Sequence, residues 1–231
     1  MKQSTAFLAA LVLAAVGISP QAEAQKLKKD PESYRVTVTL TDGQTVDGYV
    51  KKEWHAESSL LKTANYSFKL VKSPDDKEPV KYTADEVVSI EYAGASEQNP
   101  DGVRWESHNV ASPGIGNRYR TIRRLVCVDK NGENASVYWW KNWTTEQVGN
   151  IHRRVLKTFY GIRFHNDPEN TVYPYMLINT MLMDKVEPGL KEFYKEWFKG
   201  SQGKAHKKAA KTDELWVLDL YDAYLASRNE K

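Results

Sequence analysis

Residues 34–50 read YRVTVTLTDGQTVDGYV, and the pattern inside that stretch sets the fold class. Tyr34, Val36, Val38 and Leu40 alternate with Arg35, Thr37, Thr39 and Thr41, the period of a strand with one face on a core and one in water. Asp42-Gly43 supplies a tight turn, and Val46, Gly48 and Val50 carry one face of the returning strand, so the segment is a β-hairpin. A lone hairpin cannot bury its apolar face. The neighbouring sequence has to supply further strands.

Short strand candidates follow at Ser59–Thr63 and Ser67–Val71, separated by Ala64-Asn65-Tyr66. Beyond a charged loop at Ser73–Glu78, Pro79–Tyr82 is extended, Thr83-Ala84-Asp85-Glu86 is a polar turn, and Val88, Ile90 and Tyr92 alternate inward. Closely spaced short strands predict a small antiparallel β-barrel or sandwich over 34–93. On VTLTDGQTVDGYV, with Gly43 and Gly48 at turn and bend, and on KYTADEVVSIEY at 81–92, this part resembles the small SH3-like or Sm-like barrels of exported bacterial proteins of unknown function. The resemblance implies a binding or scaffolding module, although a fold does not by itself fix a function.

Residues 94–117 are rich in Gly, Pro, Ser and Asn without periodicity and predict a linker or long loop. Tyr119–Val128 and Asn134–Trp140 flank Asn131-Gly132, a second hairpin signal opening a region that runs over 118–231. Thr144 with Gln147 makes a capping box, Val148, Ile151, Val155 and Phe159 form a stripe, and Gly161 stands where a helix ends, so a helix is expected over 144–161. Thr171–Val186 is apolar and long enough for another, and Pro188 opens a third that ends at Gly200 with Leu190, Phe193, Trp197 and Phe198 on one side. Lys204, Lys207, Lys208 and Lys211 mark a connector before a last helix capped by Thr212. The expected class is α+β: a small antiparallel β-barrel or sandwich plus a β-hairpin, followed by a helical C-terminal part.

The first residues speak to compartment. Lys2, the apolar run Ala6–Ile18, Pro20 and the small-x-small triplet Ala22-Glu23-Ala24 predict a signal peptide over 1–24 cleaved after Ala24, with 25–33 as a polar tether. The apolar run is shorter than a membrane-spanning helix, and no later run matches one, so no transmembrane segment is expected after cleavage. The single cysteine, Cys127, lies far from the cleavage point, which argues against a lipid anchor and excludes an intrachain disulfide. A periplasmic or secreted protein follows. A net charge of +3 is too small to call for nucleic acid.

The chemistry-bearing residues give no catalytic fingerprint. Cys127 sits in LVCVD, a strand interior, where a free thiol behaves as a small hydrophobe. His55, His108, His152, His165 and His206 fall at no metal-ligand spacing, no cofactor motif occurs, and His165-Asn166-Asp167 before Pro168 reads as a turn. Asp213-Glu214 opens a helix, where the dipole accounts for the acids. Arg118, Arg120 and Arg124 share strand parity and read as a solvated face. Adjacent Trp139 and Trp140 point to opposite faces of a strand, so one can lie outside. That outward indole, with Trp105 and His108 from the long loop, is the candidate binding surface for an envelope protein or a glycan. The alternative is a hydrolase of cell-wall or glycan material in which His165, Asp167 or Cys127 come together in space.

Overall fold

The structure, a computed structural model, describes residues 34–50, 54, 65–93, 103–113, 119–178, 180 and 183–229. The expected signal peptide at 1–24, the expected tether at 25–33 and the strand expected at Ser59–Thr63 lie outside the described residues. β1 (Arg35–Leu40) and β2 (Thr45–Val50) pair antiparallel with Thr39 opposite Thr45, and Val36 and Val38 are buried as the alternation requires. β3 (Ser67–Val71), β4 (Val80–Thr83) and β5 (Val87–Tyr92) complete an antiparallel group in the order β5-β1-β2-β3-β4.

The expected linker at 94–117 instead contains a strand, β6 (Arg104–Pro113). Its strand character was hidden because polar residues occupy buried positions: Ser107 is buried and its hydroxyl donates to the Ala84 carbonyl. β7 (Tyr119–Asn131) and β8 (Ala135–Val148) form the second expected hairpin and join the same sheet, with a bulge between Val128 and Lys130.

The helix expected over 144–161 is absent. Those residues are the end of β8 and most of β9 (Ile151–Phe164), joined through Gly149-Asn150 with Val148 directly opposite Ile151. Ile151, Val155 and Phe159 are spaced by four, an even number, so they share a face of a strand as well as of a helix. Gly149 breaks the tie: its φ of +61° is the left-handed conformation that the first position of a two-residue hairpin turn demands. The expected capping pair, Thr144 and Gln147, lies opposite Val155 and His152 across the ladder.

β10 (Thr171–Pro174) replaces the start of the helix expected at Thr171–Val186, followed by a 3₁₀ turn at Tyr175–Leu177 and the short helix α1 (Met183–Val186). It is buried throughout because it fits between two strands, antiparallel to β9 and parallel to β6. The edge of β6 is thereby shared, Arg104–Glu106 pairing with β5 and Asn109-Val110 with β10. Strands β6-β7-β8-β9-β10 close on one another as a five-stranded barrel, and β1–β5 extend the sheet from it. The closed ring therefore lies downstream of the 34–93 segment in which the barrel was expected.

Three helices follow: α2 (Leu190–Trp197), α3 (Gly200–Thr212) and α4 (Trp216–Asn229). The expected lysine-rich connector is α3, and Thr212 ends that helix rather than capping the next; Asp213 takes the Leu215 N–H at 2.8 Å instead. α2 and α4 lay Leu190, Phe193, Leu220, Tyr221 and Tyr224 on Val137, Ile162, Phe164 and Tyr173 of the barrel strands. A second core gathers Val36, Val38, Phe68, Leu70 and Ile90 around Trp54 and Trp105. The molecule is mixed α+β, with a β-barrel, extra strands and a helical C-terminal part. Among the described residues no helix is long and apolar enough to cross a membrane.

Candidate functional site

Alternation along β6–β9 puts the even-numbered residues Glu106, His108, Arg124, Tyr138 and Trp140 on one face, joined by Phe159 and Arg163 of β9. A small apolar cluster on this face, Val110, Val126, Tyr138, Trp140 and Val172 with Phe159 packed beside it, draws on every strand of the barrel. Beside that cluster sits a polar network centred on Glu106. Its Oε2 accepts from Tyr138 Oη at 3.0 Å and faces His108 Nε2 at 2.9 Å, and its Oε1 accepts from Arg104 Nε at 2.8 Å. Arg163 Nε donates to the Tyr138 hydroxyl at 3.2 Å and holds Asn170 Oδ1 at 3.0 Å with a second nitrogen.

The donors set the protonation states. The His108 hydrogen bond, followed by those of Arg104 and Tyr138, holds the Glu106 carboxyl down to about 2 against the opposing effect of burial. A carboxylate that stays ionised cannot act as a general acid near neutrality. Burial, reinforced by the Glu106 charge, pushes the Tyr138 phenol up to about 12, so it keeps its proton as the donor of this hydrogen bond. The network thus fixes β6, β8 and β9 against one another.

Arg124 lies outside that network. It is the register partner of His108 on the adjacent strand, is only 6% exposed, and places its guanidinium 5.9 Å from the Trp140 ring centre. Its Nε is buried without a hydrogen-bond partner. Burial alone lowers its pKa, to about 10, so it remains a cation at neutral pH. The solvated face read for Arg124 from its strand parity is therefore corrected: the side chain is in the interior.

The structure divides the four residues of the expected surface between the two faces of the sheet, Trp105 with Trp139 on one and His108 and Trp140 on the other. Trp105 is 1% exposed and packs between Trp54 and Trp139, with ring centres 5.0 Å from each. Trp140, 3% exposed, stacks on Phe159 at 6.2 Å on the opposite face. Trp139 and Trp140 do point to opposite faces, but Trp140 is buried and the half-buried Trp139 packs its ring against Trp105. His108 joins the Glu106 network.

The residues proposed for hydrolysis are each held by a different set of partners. Cys127 is buried beside Trp105 and Leu125, and that burial pushes its thiol well above the ordinary range. Asp167 spends its oxygens on the Glu169 and Thr171 N–H groups and the Tyr173 hydroxyl, at 3.0, 3.0 and 3.1 Å. His165 Nδ1 lies 2.9 Å from the Glu133 carbonyl, which only accepts, so that nitrogen carries the proton; Nε2 meets the Ser136 hydroxyl at 2.9 Å. Ser136 is buried, and this serine–histidine pair fastens the β7–β8 turn.

Among the described residues the exposed large apolar side chains are Val80, Val88 and Met176, each on a separate element, and a pair at the end of the β8–β9 ribbon. β7 pairs with β8 only as far as Trp139, and beyond Lys141 the described residues give β8 no strand partner but β9. At its tip Val148 and Ile151, cross-strand partners, are 55% and 70% exposed. Along its flanks Glu146 pairs with Arg153 and Lys157 at 3.4 and 2.5 Å, while Arg154 covers the Trp143 ring at 5.3 Å. Sequence reasoning placed Val148 and Ile151 on the buried stripe of a helix; Gly149-Asn150 was the available signal for the ribbon. Comparison of the chain with family models, with curated proteins and with solved structures gave no match.

Proposed function

We propose that this chain is an exported, non-catalytic binding or scaffolding module that docks on an envelope protein through the tip of the β8–β9 ribbon. The observation that carries the reading is the exposed Val148–Ile151 pair at the end of a two-stranded arm, beyond the half-buried Trp143, Val155 and Leu156 and the ion pairs of Glu146. An exposed apolar pair at the end of an arm suits insertion into a partner's surface. The dispersal of His165, Asp167 and Cys127 to three separately occupied environments supports binding over hydrolysis. Export rests on the address in residues 1–24, with release after Ala24 to the periplasm or beyond.

The test is capture of an envelope partner by the purified mature chain. The Val148→Asp/Ile151→Asp variant should retain at least tenfold less of the partner that the native chain holds. Equal capture by both, or release of sugar or peptide fragments from envelope material by the native chain, would overturn the reading.

A further inference from the structure

We infer that Arg124 is the anion-binding group of a small oxyanion site on the barrel face of β6–β8, one that takes a carboxylate or phosphate group. The inference is independent of the ribbon. A guanidinium removed from water needs acceptors for its five N–H donors, and a buried one ordinarily finds a carboxylate. Arg124 is 6% exposed, its buried Nε has no acceptor, and its interaction among the described residues is with the face of Trp140. An aromatic face offsets part of the charge but accepts none of the in-plane N–H bonds.

The nearest acid cannot fill the gap. Glu106 is already held by Arg104, His108 and Tyr138, so its oxygens are committed. The other arginines bonded on this face are committed, Arg163 to Tyr138 and Asn170 and Arg104 to Glu106 and Glu91. Glu91 and Glu106 both engage Arg104 on this face, so neither carboxylate answers the charge of Arg124. A planar guanidinium fork with an unpartnered Nε, set over an indole ring, can take a carboxylate or phosphate through two parallel hydrogen bonds.

The experiment titrates the purified full chain with sodium phosphate and, separately, with sodium acetate, each against sodium chloride at matched ionic strength. Thermal unfolding and the arginine Nε–H resonances are followed. The expected result is a saturable rise in Tm of about 2–4 °C with at least one oxyanion, together with a saturable shift of one Nε–H signal. Arg124→Met should lose both responses, whereas Arg120→Gln, changed at an exposed site on the same strand, should keep them. A response to phosphate alone assigns a phosphoryl ligand, and one to acetate alone a carboxylate. If the native chain shows no saturable Nε–H shift with either anion, or if folded Arg124→Met responds like the native chain, the site does not exist. The native titration decides the matter even if that variant fails to fold.

Discussion

Glu106 keeps its charge because three donors converge on it, and that arrangement ties acid stability to one residue. Its folded-state pKa of about 2 lies below the ordinary carboxylate value of 4.5, so the unfolded chain takes up the proton first as pH falls. The stabilisation is fully present above 4.5 and drains away as pH drops through about 2. The side chain is 20% exposed, so solvent screening trims the contribution to on the order of 2 kcal/mol. Urea unfolding at pH 5 and pH 2.5 should show that loss in the native chain and a smaller one in Glu106→Gln; identical pH dependence would show that the donors do not stabilise the carboxylate. Gly161 shows the opposite economy, a residue that matters for lacking a side chain. A Cβ there would stand 2.8 Å from Val172 Cγ1 and 3.1 Å from the Trp140 ring, so the bare α-carbon lets β10 close the barrel.

Within the β8–β9 ribbon, stability should fall from base to tip. The base is buried in the barrel, whereas among the described residues the outer ribbon is held by its own ladder and by the surface pairs of Glu146 and Arg154, and two-stranded ribbons are marginal alone. Amide exchange should therefore be faster by at least tenfold for residues 144–155 than for the paired centre of β7 at Leu125–Cys127. Equal protection would mean that the arm is clamped along its length. The ribbon also shows how far sequence patterning reaches. The Tyr34–Val50 hairpin was legible because strict alternation and Asp-Gly agree, and the β7–β8 hairpin because Asn-Gly lies between two runs. The β8–β9 hairpin was not, since spacings of four fit both periods and a Thr…Gln pair mimics a helix start. β6 escaped because Ser107 and Asn109 look like loop residues until Ala84 and the neighbouring strands satisfy them. The Glu106 network was illegible for a similar reason: a charged residue on a strand reads as solvated until the strands across the barrel are known.

At the scale of the whole molecule, the N-terminal strands and the barrel are one cooperative body. Trp54, Trp105 and Trp139 form a continuous aromatic contact from one to the other. Asn65, left-handed at φ +61°, accepts the Leu125 N–H at 2.7 Å and reaches the Lys141 carbonyl at 3.4 Å, bridging β7 and β8 where they part. Cys127 sits at that junction, so its thiol reports on the whole. Labelling by a thiol reagent should be negligible in the native state and should follow the same urea midpoint as the loss of tryptophan signal; reaction at a lower midpoint would show that the two parts come apart first.

The central claim, that the molecule works by docking its ribbon tip on a partner, is tested most directly by site-specific photocrosslinking in the envelope of living cells. A crosslinker at position 148 or 151 should give one discrete adduct with an envelope protein, and one at the exposed position 208 of α3 should give none. No adduct from the tip, or the same adducts from the tip and from position 208, would contradict the account.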